Sequence, residues 1–133
     1  QYHARLVELV AALHLEPAVT FAGAVSTAEL VAYYRSASAF VSLSEHEGFG
    51  VPLLEAMRFD LPVVAYDAAA VGETVGGAGV LLRDRDLAQA AEAVGLVLER
   101  RELRERLVAS GRQRLEAFDP DWVAERTREV LGL

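Results

Sequence analysis

The chain has 133 residues, of which 53% are hydrophobic, and its formal net charge is −7. One domain with a sizeable core is the natural expectation for this length. The absence of cysteine excludes disulfides and thiolate metal sites, and the negative charge argues against a nucleic-acid partner. No apolar run reaches the ~20 residues of a membrane span, and residues 1–16 have the pattern of an amphipathic helix rather than of a signal peptide. We therefore expect a cytoplasmic protein.

The first part of the chain predicts a helix, a strand and a second helix. Apolar residues recur at helical spacing over residues 2–14. Val19–Gly23 is a short apolar run that ends at glycine, which is typical of a strand. Ser26 followed three residues later by Glu29 forms a capping box, which predicts a helix over about 27–37.

The rest of the chain alternates strands with helices. Three more apolar runs predict strands at Ala39–Leu43, Pro62–Tyr66 and Val80–Leu82. The helices predicted between and after them span about Gly50 to Arg58, one turn near Val71–Val75, Asp84 or Asp86 to about Glu99, 102–117, and a last segment that begins at Asp119–Trp122. This alternation predicts an α/β fold over residues 1–133, a Rossmann-like parallel sheet of about four strands flanked by helices.

A glycine-rich turn joins the strand Ala39–Leu43 to the next helix, in the stretch SEHEGFGVPLLEAM. Gly48 and Gly50 allow sharp bends, and Pro52 suits a first helical turn. The backbone N–H groups at Phe49, Gly50 and Val51 would then point outward at the positive end of the helix dipole. This arrangement favours an anion site for a phosphate or pyrophosphate.

Two carboxylates flank this turn. Glu55 lies one turn into the helix between apolar residues, where the two adjacent hydroxyls of a ribose would satisfy its oxygens. Glu47 precedes the turn and could bind the hydroxyls of a second sugar. The order hydroxyl, phosphate, hydroxyl describes a nucleotide sugar. Similar turns also occur without ligands, and an acid near a helix N-terminus can simply complement the dipole, so physics alone leaves both interpretations open.

The spacing of Glu47 and Glu55 in EGFGVPLLEAM resembles the E-x7-E signature of the family 4 (group 1) glycosyltransferases of the GT-B fold. The stretches VTFAGAVSTAELVAYYRSASAFVSLS and LPVVAYDAAAVGETVGGAGVLL, and the tail ending in AFDPDWV, are similar to the corresponding parts of that family. The resemblance covers nearly the whole chain and implies the C-terminal, donor-binding domain of a retaining enzyme.

The resemblance also implies roles for individual residues. Glu47 and the backbone of Gly48, Phe49 and Gly50 would contact the donor sugar, with Glu47 as the catalytic residue. The amides of Gly50 and Val51 would hold the pyrophosphate, and Glu55 would bind the ribose. The residues implied for the base pocket are Gly23 and Val25. No metal or other cofactor is required.

Asp60 stands where the family usually has glycine, at a position that needs a left-handed backbone. Asp adopts that conformation more readily than most residues, so we expect a strained but intact helix end. Tyr33 and Tyr34 are expected in the core and at its rim rather than against a base.

The family's donor domain normally begins with two further strands that carry an Arg and a Lys, and it works with an acceptor domain. The chain is therefore expected to be a fragment of a larger two-domain enzyme, inactive by itself, whose full-length form could associate with the inner face of a membrane. In a strand order of 3-2-1-4-5-6, Val19–Gly23 would lack its neighbour. Three arrangements could supply the missing pairing. Val19–Gly23 could pair directly with Ala39–Leu43, or a second chain could pair with the open edge to form a dimer. The third, which we favour, is that the upstream strands exist outside this sequence.

The expected partners are a nucleoside diphosphate sugar and an acceptor that is a glycan, a lipid or a small molecule. Two alternatives stay open at this stage: a non-catalytic nucleotide-binding module of Rossmann-like type, and a nucleotide-sugar epimerase of similar fold.

Overall fold

The computed structural model describes residues 2–46 and 48–119. They form two compact units, which divide after Val31, within the second helix. The elements in chain order are α1 Tyr2–Ala12, α2 Thr27–Ser36, β1 Phe40–Ser42, α3 Val51–Arg58, β2 Val63–Tyr66, α4 Val71–Val75, β3 Gly79–Leu82, α5 Leu87–Glu99 and α6 Arg101–Glu116.

The first unit contains α1 and the start of α2. The predicted capping box is confirmed, because the Ser26 N–H donates to Glu29 Oε2 at 2.8 Å and the Glu29 N–H donates to Ser26 Oγ at 3.3 Å. The side-chain bond from Ser26 lowers the pKa of Glu29. Two residues after the end of α1, His14 has a left-handed φ of 55°.

The prediction of a strand at Val19–Gly23 is wrong. The sheet has three strands instead of about four, and no ladder among the described residues includes this segment. Direct pairing with β1 is therefore also not found. A strand exists only where a neighbour accepts and donates its backbone hydrogen bonds, and an apolar run does not reveal whether such a neighbour is present.

The second unit is built on a parallel sheet of order β1-β2-β3. The register pairs Phe40 with Val63 and Val63 with Gly79. Residues 63–65 of the central strand have 0% exposure, as expected for a parallel strand covered on both faces. One face packs against α3 and α4, and the other packs against α5. The α/β fold is therefore confirmed.

The boundaries of the later elements agree with the sequence predictions to within about two residues. Asp86, one of the two predicted caps, is the N-cap of α5, because its side chain accepts from the N–H groups of Ala88 and Gln89. The expected last helix, including Trp122, lies outside the described residues. None of the described helices is long and apolar enough to cross a membrane.

Candidate functional site

The glycine turn enters α3 as predicted. Gly50 is the N-cap residue, with a left-handed φ of 76° and no side-chain cap, and a proline follows in the first turn. Its carbonyl accepts from the Leu53 N–H at 2.9 Å, which closes that turn. Gly50 has no side chain to cap the helix, Pro52 has no N–H and the Leu53 N–H is already bonded, so the Val51 N–H is the one in the first turn without an acceptor among the described residues.

Glycine is required at this position for two reasons. Its backbone conformation is one that residues with a Cβ rarely adopt. A Cβ at Gly50 would also lie 2.8 Å from Leu53 Cδ1, and Leu53 is only 1% exposed and cannot easily move away. The buried side chain of Leu53 thus sets how closely the turn packs onto the body of the domain.

Phe49 is attached to the neighbouring segment through its backbone. Its carbonyl accepts a hydrogen bond of 2.6 Å from Thr74 Oγ1. Its ring is 54% exposed and contacts Phe118 edge-on at 5.5 Å between centroids. Sequence reasoning missed Thr74. The only signal for it is a hydroxyl residue inside the otherwise apolar turn of α4.

Glu55 is half-buried on α3, and Tyr34 is its hydrogen-bond partner. The Tyr34 hydroxyl donates to Glu55 Oε2 at 2.9 Å, while its ring stacks on Phe59 at 5.2 Å. Burial, and secondarily the bond to Glu55, raises the pKa of Tyr34 to about 12. Tyr34 is therefore in the core as predicted, but it also positions the carboxylate that is expected to bind ribose, a role that sequence reasoning did not assign.

Glu55 lines a cavity of about 200 Å³ between α3 and α6, together with side chains that are mostly apolar. The other lining residues are Val51, Leu54, Arg58, Leu115, Phe118 and Asp119. The carboxylate therefore has one oxygen held by a tyrosine and borders an open space, which suits a group that must accept hydrogen bonds from a ligand.

Arg114 of α6 holds the C-terminal end of α4. Its Nε donates to the carbonyl of Thr74 at 3.0 Å, and its Nη2 donates to the carbonyl of Glu73. Its guanidinium lies 4.9 Å from the centre of the Phe118 ring. A positive charge at a helix C-terminus is favourable, so α6 stabilises the short helix that carries Thr74. The Glu73 side chain itself is exposed.

The backbone that follows the C-terminal end of α3 has the expected left-handed conformation. Asp60 has a φ of 59°, which confirms the left-handed backbone. Arg112 Nε and Nη2 each donate to one of its carboxylate oxygens at 2.7 Å. The hydrogen bond from Arg112 lowers the pKa of Asp60.

Three of the predicted site residues lie outside the described part of the second unit that forms the turn. Glu47 lies outside the described residues. Gly23 and Val25 belong to the first unit, Gly23 with a left-handed φ of 65° and Val25 half-buried. Their assignments to the donor sugar and the base pocket stay predictions. Gly48 and Val51 are exposed beside the turn, whereas Gly50 between them is buried.

A second cavity, of about 320 Å³, lies at the carboxyl ends of the three strands. Leu43, Tyr66 and Leu82 line it, together with residues 84–87 of the loop before α5. An ion pair between Glu45 and Arg85 lies in the adjoining loops. Among the described residues, no group of acidic and histidine side chains could hold a metal ion.

Comparison with known proteins shows the family. Residues 1–114 match the sequence profile of the "Glycosyl transferases group 1". The chain is 37% identical over 129 residues to a D-inositol 3-phosphate glycosyltransferase of Geodermatophilus obscurus, covering 96% of this chain and 27% of the relative. It is 38% identical over 116 residues to a glycogen synthase of Mycobacterium tuberculosis, covering 85% of this chain and 28% of the relative.

Solved structures agree. The sucrose-phosphate synthase of Thermosynechococcus elongatus superposes with a TM-score of 0.81 at 28% identity, covering 96% of this chain and 33% of that one. The C-terminal domain of a group 1 glycosyltransferase from Francisella tularensis superposes with a TM-score of 0.76 at 26% identity, covering 87% of this chain and 61% of that one.

The described sheet and helices therefore have the architecture of the C-terminal domain of a GT-B glycosyltransferase. The chain belongs to the group 1 glycosyltransferases. It spans a little more than a quarter of the length of the two relatives named above.

Proposed function

We propose that this chain is the donor-binding part of a retaining glycosyltransferase, which transfers a sugar from a nucleoside diphosphate sugar to an acceptor hydroxyl. The observation that carries the proposal is the pairing of an uncapped helix N-terminus at Gly50 with a carboxylate one turn later. Glu55 is held by Tyr34 at 2.9 Å, on a helix whose N-cap residue, Gly50, supplies no side-chain cap.

The proposed roles follow the order of groups along the donor. The backbone amides of Gly50 and Val51 bind the pyrophosphate, where the helix dipole favours negative charge. One turn along the same helix, Glu55 accepts hydrogen bonds from the ribose hydroxyls, which are worth about 1.5–3 kcal/mol each for a charged acceptor. The base is assigned to the region of Gly23 and Val25.

The donor sugar is assigned to the residues before the helix. The backbone at Gly48, Phe49 and Gly50 contacts its hydroxyls, and Glu47 is the catalytic residue that acts on the same sugar. When the bond between the sugar and the pyrophosphate breaks, negative charge develops on the leaving group. Backbone dipoles already aligned at the start of α3 stabilise that charge without reorganising.

The acceptor is proposed only as a class, a hydroxyl of a glycan, a lipid or a small molecule. The relatives named above, an inositol phosphate glycosyltransferase and a glycogen synthase, differ in what their names say they act on. We also propose that the domain acts within a larger two-domain enzyme, because it spans only 27–28% of those relatives. We further propose that the reaction takes place in the cytoplasm.

The test is calorimetric binding of UDP-, GDP- and ADP-sugars to the full-length protein, followed by product analysis with and without an acceptor hydroxyl. We expect one base to bind and the sugar to appear on the acceptor with its anomeric configuration retained. Binding without turnover would favour a nucleotide-binding module, and an isomerised nucleotide sugar formed without acceptor would favour an epimerase. Failure of all three donors to bind would overturn the proposal.

The role of Glu47 has a separate test. Glu47→Gln removes the charge and keeps the shape, so turnover should fall while binding of the free nucleoside diphosphate stays nearly intact. Steady-state kinetics and calorimetry on the same preparation separate the two effects. An equal loss of turnover and nucleotide affinity would contradict the assignment to the donor sugar.

A further inference from the structure

Thr74 is the one buried polar side chain among the residues that the structure describes, with 3% exposure. A buried hydroxyl is costly unless it is hydrogen-bonded. Its partner is the carbonyl oxygen of Phe49, 2.6 Å away and 25 residues earlier in the chain. Thr74 therefore connects α4 directly to the backbone of the glycine turn.

This hydrogen bond sets the orientation of one peptide group. In a trans peptide the C=O and the following N–H point in opposite directions. No peptide bond in the described part of the chain is cis. Because the Phe49 carbonyl points inward to Thr74, the Gly50 N–H of the same peptide must point the other way. Among the described residues, none accepts a hydrogen bond from that N–H.

We propose that Thr74 is a positioning residue for phosphate binding: it holds the peptide between Phe49 and Gly50 so that its N–H, and not its carbonyl, faces the pyrophosphate. This rests on the proposed function. If the peptide turned over, a carbonyl oxygen with partial negative charge would face the anion, and a donor would be replaced by a repulsive group. Glycine at position 50 makes such a rotation sterically accessible, so an external restraint is needed.

The restraint itself is rigid. Helix α4 has Val71 and Val75 buried on the same side as Thr74, and Arg114 binds the carbonyls of Glu73 and Thr74 at its C-terminal end. The hydroxyl that orients the turn is thus fixed by the core and by α6. The methyl group of Thr74 lies close to the turn, since a Cβ added at Gly50 would be 3.6 Å from its Cγ2.

The experiment compares Thr74→Val with Thr74→Ser in the full-length protein. Valine has nearly the same shape but no hydroxyl, whereas serine keeps the hydroxyl and loses the methyl. The ligands are UDP, GDP and ADP and their parent nucleosides, titrated by calorimetry or by competition. We expect Thr74→Val to weaken diphosphate binding about tenfold and to leave nucleoside binding within about twofold. Thr74→Ser should retain diphosphate binding.

A purely structural role would not separate the two ligands. Equal weakening of diphosphate and nucleoside, or unchanged diphosphate binding in a folded Thr74→Val protein, would overturn the inference. Circular dichroism and thermal unfolding establish folding, and Thr74→Ala replaces the valine variant if valine prevents it. A wild-type protein that binds none of the diphosphates overturns the proposed function, whereas normal wild-type binding with an unaffected variant overturns only the role of Thr74.

Discussion

The two ends of α3 both carry a left-handed residue, but they are stabilised differently. At the N-terminal end Gly50 has a φ of 76°, no side chain caps the helix, and the buried Thr74 holds the preceding carbonyl. At the C-terminal end Asp60 has a φ of 59° and is bound by Arg112 in an ion pair whose two side chains are 48% and 66% exposed.

The difference follows from what each end must leave free. A Ser, Thr, Asp or Asn cap at the N-terminal end would occupy the N–H groups that an anion needs. The turn is therefore fixed through the carbonyl of Phe49, which points away from the proposed anion site. Nothing binds at the C-terminal end in the proposed function, so a surface side chain can stabilise it. Changes at the first end should act mainly on ligand binding, and changes at the second mainly on stability.

The largest effect is expected for Gly50→Ala. The new Cβ would overlap Leu53 Cδ1 and force an unfavourable left-handed alanine, at a cost of about 1–2 kcal/mol for the backbone alone. Because the amides that face the anion shift with it, affinity for a nucleoside diphosphate should fall about 100-fold or more. Calorimetry on the full-length protein measures this.

The matched control is Gly95→Ala in α5, where an added Cβ meets nothing within 4 Å. That change should leave nucleotide binding unaltered and slightly favour the helix. If Gly50→Ala bound the diphosphate as tightly as this control does, the turn would not be the anion site.

The next effect is expected for Glu55→Ala, which removes the acceptor of the ribose hydroxyls. Affinity for the nucleoside diphosphate should fall about tenfold or more, at about 1.4 kcal/mol per factor of ten. The loss should be equally large for the parent nucleoside, because the ribose is common to both. An unchanged affinity in a folded variant would rule out the ribose role.

A smaller effect is expected for Tyr34→Phe. The ring keeps its stacking on Phe59, while Glu55 loses the hydroxyl that orients it. Nucleotide affinity should fall a few-fold, less than for Glu55→Ala. If both variants lost the same affinity, Tyr34 would be more than a positioning residue.

The Tyr34→Phe variant also tests the raised pKa of Tyr34, through the stability of the protein in alkaline solution. The pKa of Tyr34 is raised from 10.0 to about 12 in the folded protein. Between these values the folded state keeps a proton that the unfolded state releases, so stability is fully present below pH 10 and is lost as pH rises toward 12. Urea unfolding from pH 9 to 11 should show a shallower decline for Tyr34→Phe than for wild type. Parallel declines would contradict the raised pKa.

The smallest effect is expected at the other end of the helix. Arg112→Ala removes an exposed ion pair, so the thermal midpoint should fall only slightly and nucleotide binding should not change. The pair's stability is present above the usual pKa of an aspartate and is lost as pH falls below it, because Arg112 lowers the pKa of Asp60. A large loss of nucleotide affinity would show that the two ends are coupled.

Local features of the fold could be predicted from neighbouring residues. The capping box of Ser26 and Glu29 and the five-residue helix Val71–Val75 depend on chemistry within a few positions of the chain, whereas the left-handed Asp60 was expected from the glycine usual at that position in the family. The strand at Val19–Gly23 could not be decided in this way, because a ladder depends on a partner that is remote in sequence.

The sequence by itself determined the α/β alternation, the family and the glycine turn with its acids, since each rests on residue order and on local backbone preference. Only the tertiary structure decided what holds that turn. Tyr34 reaches Glu55 across 21 positions, Thr74 reaches Phe49 across 25, and Arg114 reaches Thr74 across 40. Such hydrogen bonds depend on which buried surfaces meet when the sheet forms, and no short stretch of sequence carries that information.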